Sequence, residues 1–170
     1  MNKKEAQMLA RAITIAAGVH EKQLDKAGAP YILHPLRMMG RTEDVEEQIV
    51  AVLHDVVEDS REPDRWTPER LIEAGFPKKI AAAVDALTHR SMETHGVEES
   101  YDEFIARVLQ NDLAIRVKFL DLEDNMNLSR LTRLTRQDLE RVEKYHRAHR
   151  QLLEVLSRAR RKKSKRPQNP

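Results

Sequence analysis

Hydrophobic residues recur every three or four positions along most of this chain, and that period is typical of α-helices. Residues 44–58 form the most apolar stretch, with hydrophobic side chains on more than one face, so we expect a central, buried helix there. No stretch alternates apolar and polar residues between turn signals, which argues against strands. The predicted fold is therefore an all-α, compact multi-helix bundle. Further helices are predicted over residues 4–18, from Pro35, from Pro68, and over 78–87, 100–110, 112–128 and 137–157.

Two segments interrupt this helical period. Residues 21–35 contain glycine and proline but keep the apolar run YIL, so we expect an irregular connection with buried anchors, a kind of loop that often carries a site. Residues 89–99 are polar and are predicted to form a loop. We expect its two histidines, His89 and His95, to lie at the surface.

The composition restricts the class of protein. The chain has 170 residues, of which 40% are hydrophobic and 34% charged, and this fits one globular domain with a very polar surface. The absence of cysteine excludes disulfides, thiolate zinc sites and a cysteine nucleophile. The chain lacks an apolar run of about 18 residues that could cross a membrane, and its N-terminus lacks the apolar block of a signal peptide. We therefore expect a cytoplasmic protein without membrane contact.

Basic residues are concentrated at the C-terminus. The stretch RARRKKSKR at 158–166 leaves the rest of the chain mildly acidic, although the net charge is +2. We predict a domain over residues 1–157 and a basic, disordered tail over 158–170. The charge run favours a solvated tail that aids solubility, and contact with nucleic acid or an acidic partner is the less favoured alternative. With one Trp, three Tyr and three Phe, the chain has few rings to stack on bases.

The informative polar residues interrupt the most apolar helix. His54 and Asp55 are adjacent there, and Glu58 and Asp59 follow one turn later on the same faces. Burying an ionised carboxylate is costly unless the group is paired or bound to a metal. Three carboxylates without a nearby base repel one another, and a divalent cation would remove that repulsion.

Two more segments could complete such a site. His34 lies in the irregular loop, and Asp121 lies in the apolar run RVKFLDLEDN, with Asn125 at i+4 on the same face. Together with His54 and Asp55, these side chains offer two imidazoles and two carboxylates, a set that suits Mn, Fe, Zn or Co without choosing among them. Each residue alone also fits a hydrogen-bonded or solvated role, so spacing leaves the metal site and the purely structural interpretation equally open.

Three motifs in order resemble a known family. HEKQLDKAGAPYILHPLRMM, AVLHDVVEDS and RVKFLDLEDNMNL resemble the motifs of HD-domain metal-dependent phosphohydrolases. More narrowly, they resemble the hydrolase domain of RelA/SpoT-type enzymes and the stand-alone small alarmone hydrolases. The resemblance covers about residues 5–131.

The resemblance implies roles for individual residues and one divalent metal, usually Mn(II). The implied metal ligands are His34, His54, Asp55 and Asp121. Glu58 and Asp59 correspond to the acidic pair that orients or deprotonates the attacking water, and Lys26 and Asn125 to substrate-binding residues. His20 matches a family histidine that is not a ligand, and we expect it to be structural.

The implied reaction is metal-dependent removal of the 3′-pyrophosphate from guanosine 3′,5′-bispyrophosphate. Asp25 departs from the family pattern, because a basic residue usually stands there and packs on the guanine. An HD phosphohydrolase acting on another nucleotide, such as NADPH or a nucleoside monophosphate, therefore stays open as an alternative. A non-catalytic nucleotide-binding or nucleic-acid-binding module is the third interpretation.

Overall fold

The computed structural model describes residues 1–164, apart from the side chains of residues 93–94 and 162–164. The all-α prediction is confirmed for this part of the chain, where the sole β pairing is one antiparallel bridge between Leu24 and Pro30. The α-helices are α1 Lys3–Val19, α2 Leu33–Met39, α3 Val45–Leu53, α4 Val56–Asp59, α5 Pro68–Glu73, α6 Lys78–Leu87, α7 Met92–His95, α8 Tyr101–Val108, α9 Asp112–Met126 and α10 Arg136–Ser164, and a 3-10 helix covers Leu128–Arg130.

Helix α3 lies at the centre of the bundle. It begins after Asp44, whose side chain accepts hydrogen bonds from the backbone N–H groups of Glu46 and Glu47 and so satisfies the free donors of the first turn. Five consecutive residues of α3, from Ile49 to Leu53, are at most 1% exposed. The helix packs against α1, α2, α6 and α9, and α10 packs along α9. The predicted central helix is therefore confirmed at its N-terminal part.

The predicted helix over residues 44–58 is interrupted. Helix α3 ends at Leu53 and α4 begins at Val56, so His54 and Asp55 form the junction between them. At this junction the His54 Nδ1 atom donates a hydrogen bond of 2.8 Å to the Ala51 carbonyl, and Asp55 has φ −100° and ψ −1°. A side-chain donor thus occupies a carbonyl of the last turn, and the backbone departs from regular helical angles at Asp55, whereas His54 keeps them.

Two further boundaries differ from the predictions. The predicted loop 89–99 contains one helical turn, α7. Helix α10 continues through Ser164, beyond the predicted boundary at residue 157, and residues 165–170 of the predicted tail lie outside the described residues. Apolar positions on α10 such as Leu152, which is fully buried, hold the helix on the bundle, while its C-terminal end carries the basic residues. Within residues 1–164, no helix combines the length and the hydropathy that a bilayer crossing requires.

Candidate metal centre and active site

Three predicted ligands from three separate elements converge in the interior. His34 comes from α2, His54 from the end of α3 and Asp121 from α9, and one ligand atom of each lies within 4.8 Å of the others. His34 Nε2 is 3.2 Å from Asp121 Oδ1, and His54 Nε2 is 3.9 Å from the same oxygen. The three residues are 3–5% exposed. The fold thus brings two imidazoles and a carboxylate to one buried point.

Hydrogen bonds fix the orientation of both imidazoles. His34 Nδ1 lies 2.7 Å from Asp124 Oδ2, and His54 Nδ1 lies 2.8 Å from the Ala51 carbonyl oxygen. Because these oxygens can only accept, each Nδ1 donates, and each Nε2 is left as the atom that faces Asp121. Histidines that bind metals commonly have this arrangement, with the second ring nitrogen held by a carboxylate or a carbonyl.

Asp55, the fourth predicted ligand, adjoins this group. Its Oδ2 atom lies 2.8 Å from His54 Nε2 and accepts a hydrogen bond from the Tyr31 hydroxyl. Burial and the negative charge of Asp55 raise the pKa of Tyr31, so the phenol remains a donor. Burial also opposes ionisation of Asp55, but the neighbouring His54 outweighs it and lowers the pKa of this carboxyl. Asp55 is therefore a charged group that contacts the ring nitrogen facing Asp121.

The charges around the three converging residues are balanced. Burial lowers the pKa of His34, but hydrogen bonds to Asp121 and Asp124 outweigh burial and raise this pKa to about 9. Burial opposes ionisation of Asp121, yet the Lys118 ammonium, 2.7 Å from Asp121 Oδ2, and the two histidines hold its pKa well below the usual range. The carboxylates are thus ionised and can act as cation ligands.

The predicted acidic pair, Glu58 and Asp59, lies on the short helix α4 directly after the junction. The Glu58 carboxylate accepts a 2.8 Å hydrogen bond from the His89 backbone N–H, and Asp59 accepts one of 2.9 Å from the Gln23 amide. Burial is the main cause of a raised pKa at both carboxyls, and the negative charge of Asp55 raises both further. Both groups are therefore better proton acceptors than ordinary surface carboxylates.

A cavity of about 310 Å³ opens beside His34. Both predicted substrate-binding residues, Lys26 and Asn125, line it. Asn125 also donates from its side-chain amide to Asp121 Oδ1 at 2.5 Å, so this residue connects the cavity to the converging ligands. The full lining is Gln23, Leu24, Asp25, Lys26, Ala27, Tyr31, His34, Asn125, Asn127, Leu128, Arg130, Leu131 and Arg141.

Asp25, the departure from the family pattern, forms an ion pair with Arg130 at 2.9 Å. Its other carboxylate oxygen accepts hydrogen bonds from the backbone N–H groups of Ala27 and Ala29 at 2.8 and 2.9 Å. These bonds close the turn at Gly28, where φ is +80°, a value that glycine adopts readily. Arg130 thus compensates the negative charge of Asp25, and the ionisable side chains that line the cavity are predominantly basic.

Sequence reasoning missed several residues that hold the site together. Asp124 binds His34 and also accepts hydrogen bonds of 2.8 Å from both Nε and Nη2 of Arg37. The only sequence feature that points to Asp124 is its position three residues after Asp121, which places the two side chains close together on α9. Tyr31 and Arg130 give no comparable signal, because their partners lie 24 and 105 residues away along the chain.

Three further histidines that the sequence analysis considered lie outside the group of converging ligands. His20 caps the end of α1, its Nδ1 atom lies 2.7 Å from the Gln23 side-chain oxygen, and its ring packs on Tyr31 at 4.9 Å between centroids. His20 therefore supports Gln23, which in turn holds Asp59. His89 is partly buried against Phe104, with 5.6 Å between ring centroids, and His95 is exposed.

Curated relatives match most of the chain. It is 31% identical over 134 residues to a GTP pyrophosphokinase of Myxococcus xanthus, a match that covers 72% of this chain and 17% of that protein. It is 29% identical over 129 residues to the guanosine-3′,5′-bis(diphosphate) 3′-pyrophosphohydrolase of Aquifex aeolicus, covering 72% of this chain and 18% of that protein. It is 27% identical over 131 residues to the bifunctional (p)ppGpp synthase/hydrolase SpoT of Escherichia coli, with the same coverage of 72% and 18%.

These comparisons confirm the predicted resemblance to RelA/SpoT-type enzymes. The chain spans less than a fifth of the length of these curated relatives. Some of the relatives are named hydrolases and others pyrophosphokinases. No family model matches the chain.

Proposed function

We propose that this chain is a metal-dependent phosphohydrolase that removes the 3′-pyrophosphate from guanosine 3′,5′-bispyrophosphate. The observation that carries the proposal is the convergence of His34, His54 and Asp121 within 4.8 Å. The resemblance to enzymes named guanosine-3′,5′-bis(diphosphate) 3′-pyrophosphohydrolase supports the choice of substrate. We assign the activity to residues 1–157.

The side chains that converge fit one divalent cation. Both imidazoles use Nδ1 for hydrogen bonds within the protein, so their Nε2 atoms and an Asp121 oxygen are the atoms that can bind the cation, with release of any proton on Nε2. Asp55 is the fourth proposed ligand, since its carboxylate contacts His54 Nε2. We propose Mn(II), which a mixed set of nitrogen and oxygen donors accommodates. When bound, such a cation lowers the pKa of water and polarises a phosphate ester.

Glu58 and Asp59 are proposed to handle the proton of the attacking water. Their raised pKa values bring them closer to neutral pH, where a carboxylate is a more effective base. Each carboxylate is held on one side by a donor, the His89 N–H for Glu58 and the Gln23 amide for Asp59. The held carboxylates can therefore orient a water molecule as well as accept its proton.

Basic residues of the cavity suit a substrate rich in phosphate. Lys26, Arg130 and Arg141 line the same space as Asn125. Arginine and lysine bind phosphate oxygens through charge-assisted hydrogen bonds, and their charge balances the charge that develops as a phosphate ester is cleaved. We propose that Lys26 and Asn125 bind the phosphate and ribose region of the nucleotide.

The donor set favours hydrolysis over pyrophosphate transfer. Enzymes that transfer phosphoryl groups from nucleoside triphosphates usually hold Mg²⁺ through carboxylates and the substrate phosphates, since Mg²⁺ prefers oxygen ligands. A site with two imidazoles instead suits transition metals. The adjacent acidic pair supplies a proton acceptor that water attack requires.

A second candidate is an HD phosphohydrolase that acts on another nucleotide, such as NADPH or a nucleoside monophosphate. Asp25 supports it, because the carboxylate is engaged by Arg130 and by the turn, so recognition of the base must differ from that of the family pattern. The chemistry at His34, His54 and Asp121 is the same in both candidates. The base that the cavity accepts distinguishes them.

Elemental analysis of the purified protein and product identification on a nucleotide panel with added Mn(II) test the proposal. We expect bound transition metal, and pyrophosphate release from guanosine 3′,5′-bispyrophosphate in preference to NADPH and nucleoside monophosphates. His54→Ala should abolish both metal uptake and hydrolysis, whereas the exposed His146→Ala serves as a control that retains them. Hydrolysis by the His54→Ala protein would contradict the metal assignment, and nucleotide binding without turnover in the wild type would favour a non-catalytic module.

A further inference from the structure

The peptide group between Thr88 and His89 connects two side chains on different helices. Its N–H donates to the Glu58 carboxylate at 2.8 Å, and its C=O accepts from Nη2 of Arg107, also at 2.8 Å. This peptide is not among the cis bonds of the chain, so its N–H and C=O point in opposite directions within one rigid plane. Fixing the carbonyl therefore also fixes the direction of the N–H toward Glu58.

Arg107 is held by all five of its N–H donors. Nε and Nη2 bind the two carboxylate oxygens of Glu99 at 2.8 and 2.7 Å. Nη1 donates to the carbonyls of Asp85 and Ala86 at 2.9 and 3.1 Å, and Nη2 also binds the Thr88 carbonyl. A guanidinium has five N–H donors in a planar fork, so each is used here. A two-pronged pair with a carboxylate holds this fork in one orientation.

Glu99 anchors the segment that follows His89. Its Oε2 atom accepts from the Arg90 backbone N–H at 3.2 Å, and its own N–H donates to the Arg90 carbonyl at 3.1 Å. Glu99 has 10% side-chain exposure and Arg107 20%, so water competes weakly for these bonds. The Arg107 guanidinium therefore binds both ends of this segment, through the Thr88 carbonyl at one end and the Glu99 carboxylate at the other.

We propose that Arg107 is a positioning residue for Glu58 and acts through the Thr88–His89 peptide. The inference rests on the proposed function, in which Glu58 orients the attacking water and accepts its proton. A positive charge on a peptide carbonyl polarises the amide and strengthens its N–H as a donor. Arg107 thus holds Glu58 in one orientation from the far side of a peptide group. Arg107 also binds the carbonyls of Asp85 and Ala86 at the end of α6. Those two bonds alone would not direct the His89 N–H toward Glu58.

The first test is kinetic and uses the full chain with Mn(II) and guanosine 3′,5′-bispyrophosphate. Arg107→Gln should lower kcat about tenfold and change KM less than about twofold, because proton transfer is impaired while nucleotide contacts persist. Glu99→Gln is a milder second variant for the case in which Arg107→Gln does not fold. Arg116→Gln is the matched control, since Arg116 donates to Glu47 at 2.5 Å and joins α9 to α3. The control should retain kcat.

The second test separates positioning from a general loss of stability. In a Glu58→Gln background, adding Arg107→Gln should lower kcat by less than about twofold, because residues that act as a unit are not additive. A full tenfold further loss in that background would overturn the proposal, as would an unchanged kcat in the single variant.

Hydrogen exchange at the His89 amide gives a readout without turnover. The wild type should protect this amide, and Arg107→Gln should speed its exchange about tenfold or more, while Arg116→Gln should not. If the wild type hydrolyses no nucleotide, the proposed function fails, but exchange at His89 still decides whether Arg107 fixes the peptide. Unchanged exchange in Arg107→Gln would refute that role whatever the activity.

Discussion

Replacing Asp124 with asparagine should weaken metal binding although Asp124 is not a proposed ligand. Asp124 is 5% exposed, and its carboxylate accepts from His34 Nδ1 at 2.7 Å and from two nitrogens of Arg37 at 2.8 Å each. Asparagine keeps one of the two oxygens, replaces the other with an NH₂ donor and removes the negative charge. His34 would then lose either its fixed ring orientation or the partner that increases its basicity.

The size of the expected loss in metal affinity follows from these contacts. Loss of the hydrogen-bond partner of a metal-binding histidine typically costs 10–100-fold in metal affinity, or roughly 1.4–2.8 kcal/mol. Asp124 also neutralises Arg37 and lies 3.4 Å from Arg130 Nη2, so removal of its charge leaves uncompensated positive charge close to the cation site. We therefore expect about 30–100-fold weaker binding, in the upper part of this range.

Competition between the protein and a metal-sensitive dye for Mn(II) at constant pH measures this change directly. Glu123→Gln is the matched control, because Glu123 neighbours Asp124 on α9 but pairs with Arg41 and lies 3.6 Å from His149. The control should bind Mn(II) like the wild type. An Asp124→Asn protein whose affinity stays within about threefold of the wild type would refute the role assigned to Asp124.

Three further predictions concern the core, the pH dependence and the cavity. Leu53→Ala, at a fully buried position of α3, should lower the free energy of unfolding by about 2–5 kcal/mol in urea titrations. The hydrogen bond from Arg107 lowers the pKa of Glu99, although burial opposes this shift. The ionised carboxylate therefore stabilises the fold at pH values above the pKa that Glu99 has in the unfolded chain, and this stabilisation is lost as the pH falls. The stability difference between wild type and Glu99→Gln should therefore shrink below about pH 4, and an acid titration of unfolding that shows a constant difference would contradict this. Asp25→Ala should raise KM more than it lowers kcat in steady-state assays, because Arg130 loses its 2.9 Å partner at the cavity wall.

Helical periodicity was sufficient to predict most of the bundle. The predicted helix over 78–87 coincides with α6, and the one over 112–128 ends two residues beyond α9. The interruption at His54 and Asp55 could not be predicted, since no glycine or proline marks it and the apolar pattern continues into α4. It coincides with a hydrogen bond from the His54 side chain to the Ala51 carbonyl, which helix propensity does not predict.

The candidate site was predictable where polar residues break an apolar pattern. His34, His54 and Asp121 stood out for that reason, and the fold brings them together. Asp124 and Arg130 were missed because acidic and basic residues are common on exposed helix faces, and only tertiary structure shows that these two are engaged at the site.

The break between α3 and α4 limits how this centre could be transplanted. On a regular helix, adjacent residues project about 100° apart around the helix axis. Here His54 ends one helix and Asp55 precedes the next, with the imidazole bonded to a carbonyl of the preceding turn. Placing only His54 and Asp55 on an uninterrupted helix of another protein would reproduce the sequence of the motif but not its geometry. The graft would have to include the backbone of the junction and the ends of both helices.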